Sequence, residues 1–106
     1  MKVELLYFDG CPTYSQALDN LLQALALERQ VADVEMIRVR DAADADVKRF
    51  IGSPTIRLDG VDIEGPTVDF QRHFYGCRMY VEGQRNVGWP SVDRIREAIQ
   101  RQRAAG

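Results

Sequence analysis

Cysteine is scarce in this chain: only Cys11 and Cys77 occur among 106 residues. Two thiols are too few for the disulfide framework of a small secreted domain, and they do not form a zinc-type cluster. Long apolar runs are missing too, none approaching the roughly 18 residues needed to cross a bilayer. The opening Met1-Lys2-Val3-Glu4-Leu5 brings in an acid early and lacks a small-residue cleavage site after an apolar stretch, unlike a signal peptide. The expectation is a cytoplasmic protein whose cysteines rest as free thiols. Charge of one sign is not accumulated: 14 Lys+Arg stand against 16 Asp+Glu, for a formal net charge of -2. A nucleic acid or an anionic membrane surface needs a concentrated positive field, so neither is expected as the main partner. There is no phosphate-binding glycine loop, no internal repeat and no low-complexity segment.

What is present is enough for one domain. Hydrophobic residues make up 45% of the chain and charged residues 28%, a balance that buries a modest core without metals or staples. Val3 to Phe8 is apolar on both alternating faces except at Glu4, which predicts a central strand covered on two sides. Asp9-Gly10 breaks it. Pro12 suits a first helical position, and Leu18, Leu21, Leu22 and Leu25 recur at helical spacing to about Arg29. Val34 to Arg40 reads as a second strand nearer an edge.

Asp41 or Asp44 can cap a short helix with Ala43, Val47, Phe50 and Ile51 as its apolar stripe, ended by Gly52. Ser53 to Leu58 is a third strand entered through Pro54, and Asp59-Gly60 signals a two-residue hairpin into Val61-Asp62-Ile63. Pro66 through Phe74 holds one helical turn or none. Cys77 to Val81 reads as a short strand, Gly83 to Gly88 as a polar loop, and Trp89-Pro90 as the anchor before a last helix capped by Ser91. Val92, Ile95, Ala98 and Ile99 of that helix face the core, while Arg94, Arg96, Arg101 and Arg103 stay in water. The order is strand, helix, strand, helix, hairpin, helix, with a right-handed parallel crossover first and antiparallel strands after Pro54.

Cys11 carries the sharpest chemical signal. It follows a buried strand through a glycine turn and precedes a long helix, whose first N–H groups lack intrahelical partners. Those amides and the helix dipole favour an anion, here a thiolate, so the pKa of Cys11 should be lowered toward reactivity near neutral pH. A buried cysteine acting as a small hydrophobe is the plainer alternative. Tyr14, in the first turn, either gives its hydroxyl to the thiolate or packs on the turn. His73, among Phe70, Phe74 and Tyr75, either offers a proton near Cys77 or merely packs against those rings.

Leu5-Leu6-Tyr7-Phe8-Asp9-Gly10-Cys11-Pro12 together with Gly52-Ser53-Pro54-Thr55 resembles the thioredoxin superfamily, in which an N-terminal cysteine motif faces a cis-proline loop. The resemblance implies a three-layer fold: a mixed four-stranded sheet with helices on both faces. It implies a cis Ser53–Pro54 bond and a Ser53 backbone beside Cys11, where a substrate chain or thiol docks between Pro12 and Pro54. The position three residues after the nucleophile, where a dithiol reductase keeps its resolving thiol, is Tyr14, which excludes a dithiol cycle within Cys11-Pro12-Thr13-Tyr14.

The chain is also similar to a small thioredoxin-like group labelled alkylmercury lyase-like, through a Phe-Asp-x-Cys-Pro start, a Gly-Ser-Pro-Thr-Ile loop and a late Cys-Arg-x-Tyr segment. That similarity implies Cys11 and Cys77 as a thiol pair able to hold a soft metal. The carboxylate that delivers a proton in the lyases would again fall at Tyr14, and Asp9, preceding the thiol, suits orienting the turn instead. Two readings therefore stand at the level of sequence, and the lyase-like similarity adds a third, cleavage of an organomercurial by Cys11 and Cys77. One is a monothiol protein using Cys11, with or without Cys77, on a small thiol, a protein disulfide or a soft-metal species, without a cofactor. The other is a non-catalytic interaction module with inert cysteines; pairing with a second copy is open under either.

Overall fold

The computed structural model of the chain describes residues 1–66, 68 and 72–105. Part of the helical turn considered between Pro66 and Phe74 lies outside the described residues, as does Phe70. A mixed four-stranded sheet organises the rest: β1 (Val3–Tyr7), β2 (Val34–Arg38), β3 (Thr55–Leu58) and β4 (Val61–Asp62) lie in the order β2-β1-β3-β4. β1 runs parallel to β2, with Val3 opposite Val34, and antiparallel to β3, with Val3 opposite Leu58. Its near-continuous apolar run follows from this: β1 has a neighbour on each edge and a cluster on each face.

Successive side chains of a strand point to opposite faces, and Leu5 and Leu6 show the division. Leu5 joins Val3, Ile56 and Leu58 under α1 (Tyr14–Leu27) and α3 (Val92–Ala105), which bring Leu21, Ala24 and Leu25 on one side and Ile95, Ala98 and Ile99 on the other. Leu6 faces the opposite way, toward Val39, Phe50 and Ala45 of α2 (Ala42–Val47). Ser91 caps α3 as expected, its Oγ accepting from Arg94 N–H at 3.1 Å. Trp89 packs on the main core, and the carbonyl of Pro90 accepts from the buried Asn20 amide at 2.9 Å, so this dipeptide does anchor the entry to α3. Among the described residues no helix is long and apolar enough to cross a membrane.

Several expectations need correction. Leu22 is half exposed, because the buried stripe of α1 runs through Ala17, Leu21, Ala24 and Leu25. Ala43 and Val47 of α2 also face water. That helix stops at Val47 and reverses through Arg49 at φ 56, not at Gly52, and it is this turn that swings Phe50 into the core. Asp41 caps it by accepting from Asp44 N–H, which leaves Asp44 buried and paired with Lys48 and Arg40. The segment from Gly83 to Gly88 is not a loop throughout: β5 (Tyr80–Glu82) and β6 (Arg85–Val87) form a second, two-stranded antiparallel sheet around Gly83-Gln84. Cys77 precedes β5 and forms an isolated parallel bridge with Ser53, two residues before β3. Arg94, Arg96 and Arg103 are not simply solvated, since Arg94 pairs with Glu64 and Glu82, and Arg96 and Arg103 both reach Glu28.

Candidate functional site

Cys11 is positioned by a tight turn. Its N–H donates to the Phe8 carbonyl at 3.2 Å, and Gly10 at φ +90 supplies the third residue of that turn, a conformation β-carbons disfavour. Pro12 is exposed and precedes the helix: Thr13, not Pro12, is the residue that opens α1. A threonine in this position ordinarily turns its hydroxyl back onto the helix's own free N–H groups. Here the side chain makes no such cap, and its Oγ1 lies 3.5 Å from Cys11 Sγ. The first turn of α1 holds no acidic residue either, so its amide hydrogens are left for the sulfur.

Cys11 is 5% exposed, a shallow thiol shielded just beneath the surface. Burial alone would push its pKa up. The Ser53 hydroxyl, the Thr13 hydroxyl and the backbone N–H groups of Thr13 and Tyr14 outweigh that and bring it below the ordinary thiol value. The Ser53 hydroxyl is fully buried without a hydrogen-bond partner and stands close enough to favour the thiolate. A hydroxyl so placed can donate to the sulfur, and it does so more strongly when the sulfur is charged.

The remaining residues singled out in the sequence divide around this centre. Tyr14 serves through its backbone N–H, while its ring stacks on Tyr7 with centroids 4.6 Å apart. Pro54 is buried, follows a cis peptide bond as expected, and its carbonyl accepts from Tyr80 Oη at 2.5 Å. Asp9 is turned away to Arg38 Nε at 2.9 Å. His73 is drawn to Asp46, its Nδ1 3.1 Å from the carboxylate, and takes no part in the thiol's surroundings. Both cysteines are free, Cys77 being exposed.

The Ser53 backbone is engaged within the molecule, and so is not an open docking edge. Its N–H donates to the Gly76 carbonyl at 2.8 Å, and its carbonyl accepts from Arg78 N–H at 2.9 Å, which sets Cys77 directly opposite Ser53. The strap from Phe74 to Arg78 thus crosses beside the thiol loop, with Phe74 N–H donating to the Phe50 carbonyl and Tyr75 resting on Phe8 at 5.0 Å between ring centroids. Gly52 makes the crossing feasible. At φ +117 a Cβ there would lie 2.8 Å from Arg78 Cβ and 2.9 Å from Phe74 Cζ.

Residues without any local signal in the sequence hold the strap down. Arg78 is buried and forms paired bonds to Asp62 at 2.6 and 2.9 Å, a 2.6 Å bond to Glu64, a 3.2 Å bond to Thr55 Oγ1, and a cation–π contact 4.5 Å above Tyr80. Burial works against its charge, but Asp62 and Glu64 more than offset that and hold the guanidinium protonated. Burial likewise raises the pKa of Tyr80, which keeps the hydroxyl available to Pro54. Thr13 could have been suspected from its place two residues after Cys11, whereas the Arg78 cluster joins residues far apart in sequence.

Compared with known proteins, the chain matches no family model, no curated protein and no solved structure.

Proposed function

We propose that this chain is a thioredoxin-fold thiol protein in which Cys11 is the attacking thiolate of thiol–disulfide exchange and Cys77 the sulfur that resolves the product. The reading is carried by one observation: two hydroxyls and two backbone N–H groups converge on the Cys11 sulfur and lower its pKa despite burial. The fold assignment draws its support from the parallel β1-α1-β2 unit, the antiparallel β3-β4 hairpin and the closing α3, with the thiol loop beside residue 53.

The Cys11 thiolate attacks one sulfur of a disulfide R–S–S–R. The Cys11–S–SR bond forms as the S–S bond of the substrate breaks, and R–S⁻ leaves to take a proton from water. Cys77 then attacks the Cys11 sulfur as its thiolate, forming an intramolecular disulfide and expelling the second R–S⁻. Two equivalents of external thiol return the protein to its dithiol form. Support for Cys77 in this role is that its backbone pairs with that of Ser53, the residue whose hydroxyl favours the Cys11 thiolate, which brings the two cysteine-bearing segments to one residue. The same shared neighbour favours a second reading, two-thiolate capture of a soft cation. Asp9 is tied to Arg38, so carbon–metal cleavage lacks the nearest acid in sequence and is not proposed.

The test is the alkylation rate of Cys11 against pH in a Cys77→Ser protein. The rate should level off at a pH below the ordinary cysteine value of about 8.5. A thiol that titrates ordinarily, or does not react, refutes the reading and leaves the interaction module. Treatment with one equivalent of 2-hydroxyethyl disulfide should convert the wild type to an internal disulfide lighter by two hydrogens, whereas Cys77→Ser keeps the adduct.

A further inference from the structure

We infer that Cys11 acts on low-molecular-weight disulfides and excludes extended polypeptides, because the chain's own strap occupies the strand edge a polypeptide would use. This deepens the exchange reading and rests on it. A peptide added to a sheet edge is held by main-chain hydrogen bonds, which need a free N–H and a free carbonyl at the receiving residue. At Ser53, beside the thiol, neither is free: Gly76 takes the one and Arg78 the other. The place is filled by a segment that itself presents a cysteine opposite Ser53.

Moving the strap aside is not a local event. Arg78 would have to leave Asp62 and Glu64, and although Glu64 would keep Arg94, the buried Asp62 would lose its guanidinium. Tyr75 would also have to come off Phe8. Thr13, the other neighbour of the sulfur, is covered as well, for Gly88 is pressed so closely on it that a Cβ there would lie 2.8 Å from Thr13 Cγ2. Cys11 itself is only 5% exposed, so a substrate that reaches its sulfur has to be slim. That this is a reaction site and not simple packing is indicated independently by Ser53 Oγ, fully buried and without a conventional partner at the sulfur's side.

The experiment compares two probes with the same leaving group on the Cys77→Ser protein: the 2-thiopyridyl disulfide of cysteamine, and the same activated disulfide on the cysteine of an extended decapeptide. Release of thiopyridone reports attack by Cys11. The small probe should react at least about tenfold faster than the peptide, since the longer chain has to press against the strap to bring its disulfide to the sulfur and a barrier of about 1.4 kcal/mol suffices for that factor. Tyr75→Ala combined with Arg78→Met in the same background, its fold checked by circular dichroism, loosens both anchors of the strap and should narrow the gap by speeding the peptide alone. Equal rates for the two probes in the parent protein overturn the exclusion while leaving exchange intact, and an unchanged gap in the folded double variant overturns the strap as its cause. If neither probe reacts faster than with the urea-unfolded chain, the exchange reading itself fails.

Discussion

Replacing Ser53 by alanine should change stability and reactivity in opposite directions, depending on pH. The hydroxyl is fully buried and has no conventional hydrogen-bond partner. While Cys11 is a neutral thiol, that hydroxyl is an unmet donor, and burying such a group costs about 1–3 kcal/mol. Ser53→Ala should therefore be as stable as the wild type at about pH 6, or more stable by about 1 kcal/mol. Once Cys11 ionises, the same hydroxyl donates to a charge, an interaction of about 1.5–3 kcal/mol, with the lower figure apt because the alignment is imperfect. Losing about 1.4 kcal/mol leaves roughly tenfold less thiolate at a fixed pH below the transition, and alkylation slows by the same factor.

The pH dependence has a definite sign. Folding lowers the pKa of Cys11, so its thiolate contributes stability that is fully present above the unfolded value of about 8.5 and is lost as pH falls through the folded value. The stability of the wild type relative to Ser53→Ala must then rise with pH across that window. Iodoacetamide kinetics in the Cys77→Ser background, with urea unfolding at about pH 6 and about pH 9, measure both effects. A variant that alkylates at the parental rate near pH 6, or that is destabilised equally at both pH values, would refute the argument.

Other substitutions test the supports. Gly52→Ala combines a left-handed backbone with contacts under 3 Å to Arg78 and Phe74, and should lose at least about 2 kcal/mol in urea unfolding. Arg78→Met leaves the buried Asp62 without its cation and should lose about 3–5 kcal/mol, whereas the double change Arg78→Met with Asp62→Leu should recover part of it. Asp44 is held at a pKa of about 2, chiefly by Lys48 and the Arg40 N–H, so its contribution is present above the ordinary carboxyl value near 3.8 and disappears as pH falls toward 2. Acid titration of thermal stability should accordingly show the wild type ahead of Asp44→Asn above about pH 4, with the difference vanishing near pH 2.

Some elements were legible because their signals are local. The run Val3 to Tyr7 announces a strand apolar on both faces, and Asp59-Gly60, both at positive φ, announces the β3-β4 hairpin. The thiol at the entrance to α1 was legible for the same reason, since turn, cysteine and helix are consecutive. What stayed hidden depends on partners distant in the chain. The stripe chosen for α2 assumed one continuous helix to Gly52, and the left-handed Arg49 rotates Phe50 out of that phase. β6 reads as polar because two of its three residues are exposed. No local pattern connects Arg78 with Asp62 and Glu64, or shows that residues 76 to 78 bind the backbone of residue 53.

Main-chain bonds are indifferent to the side chain that rides on them. Gly76 and Arg78 grip Ser53 by its amide and carbonyl, so the architecture around the sulfur is secured whatever small group residue 53 carries. The side chain is therefore a dial, free to be exchanged for one that donates more, less or nothing to the sulfur without dismantling the frame. A fold built this way lets the acidity of its thiol be retuned one residue at a time.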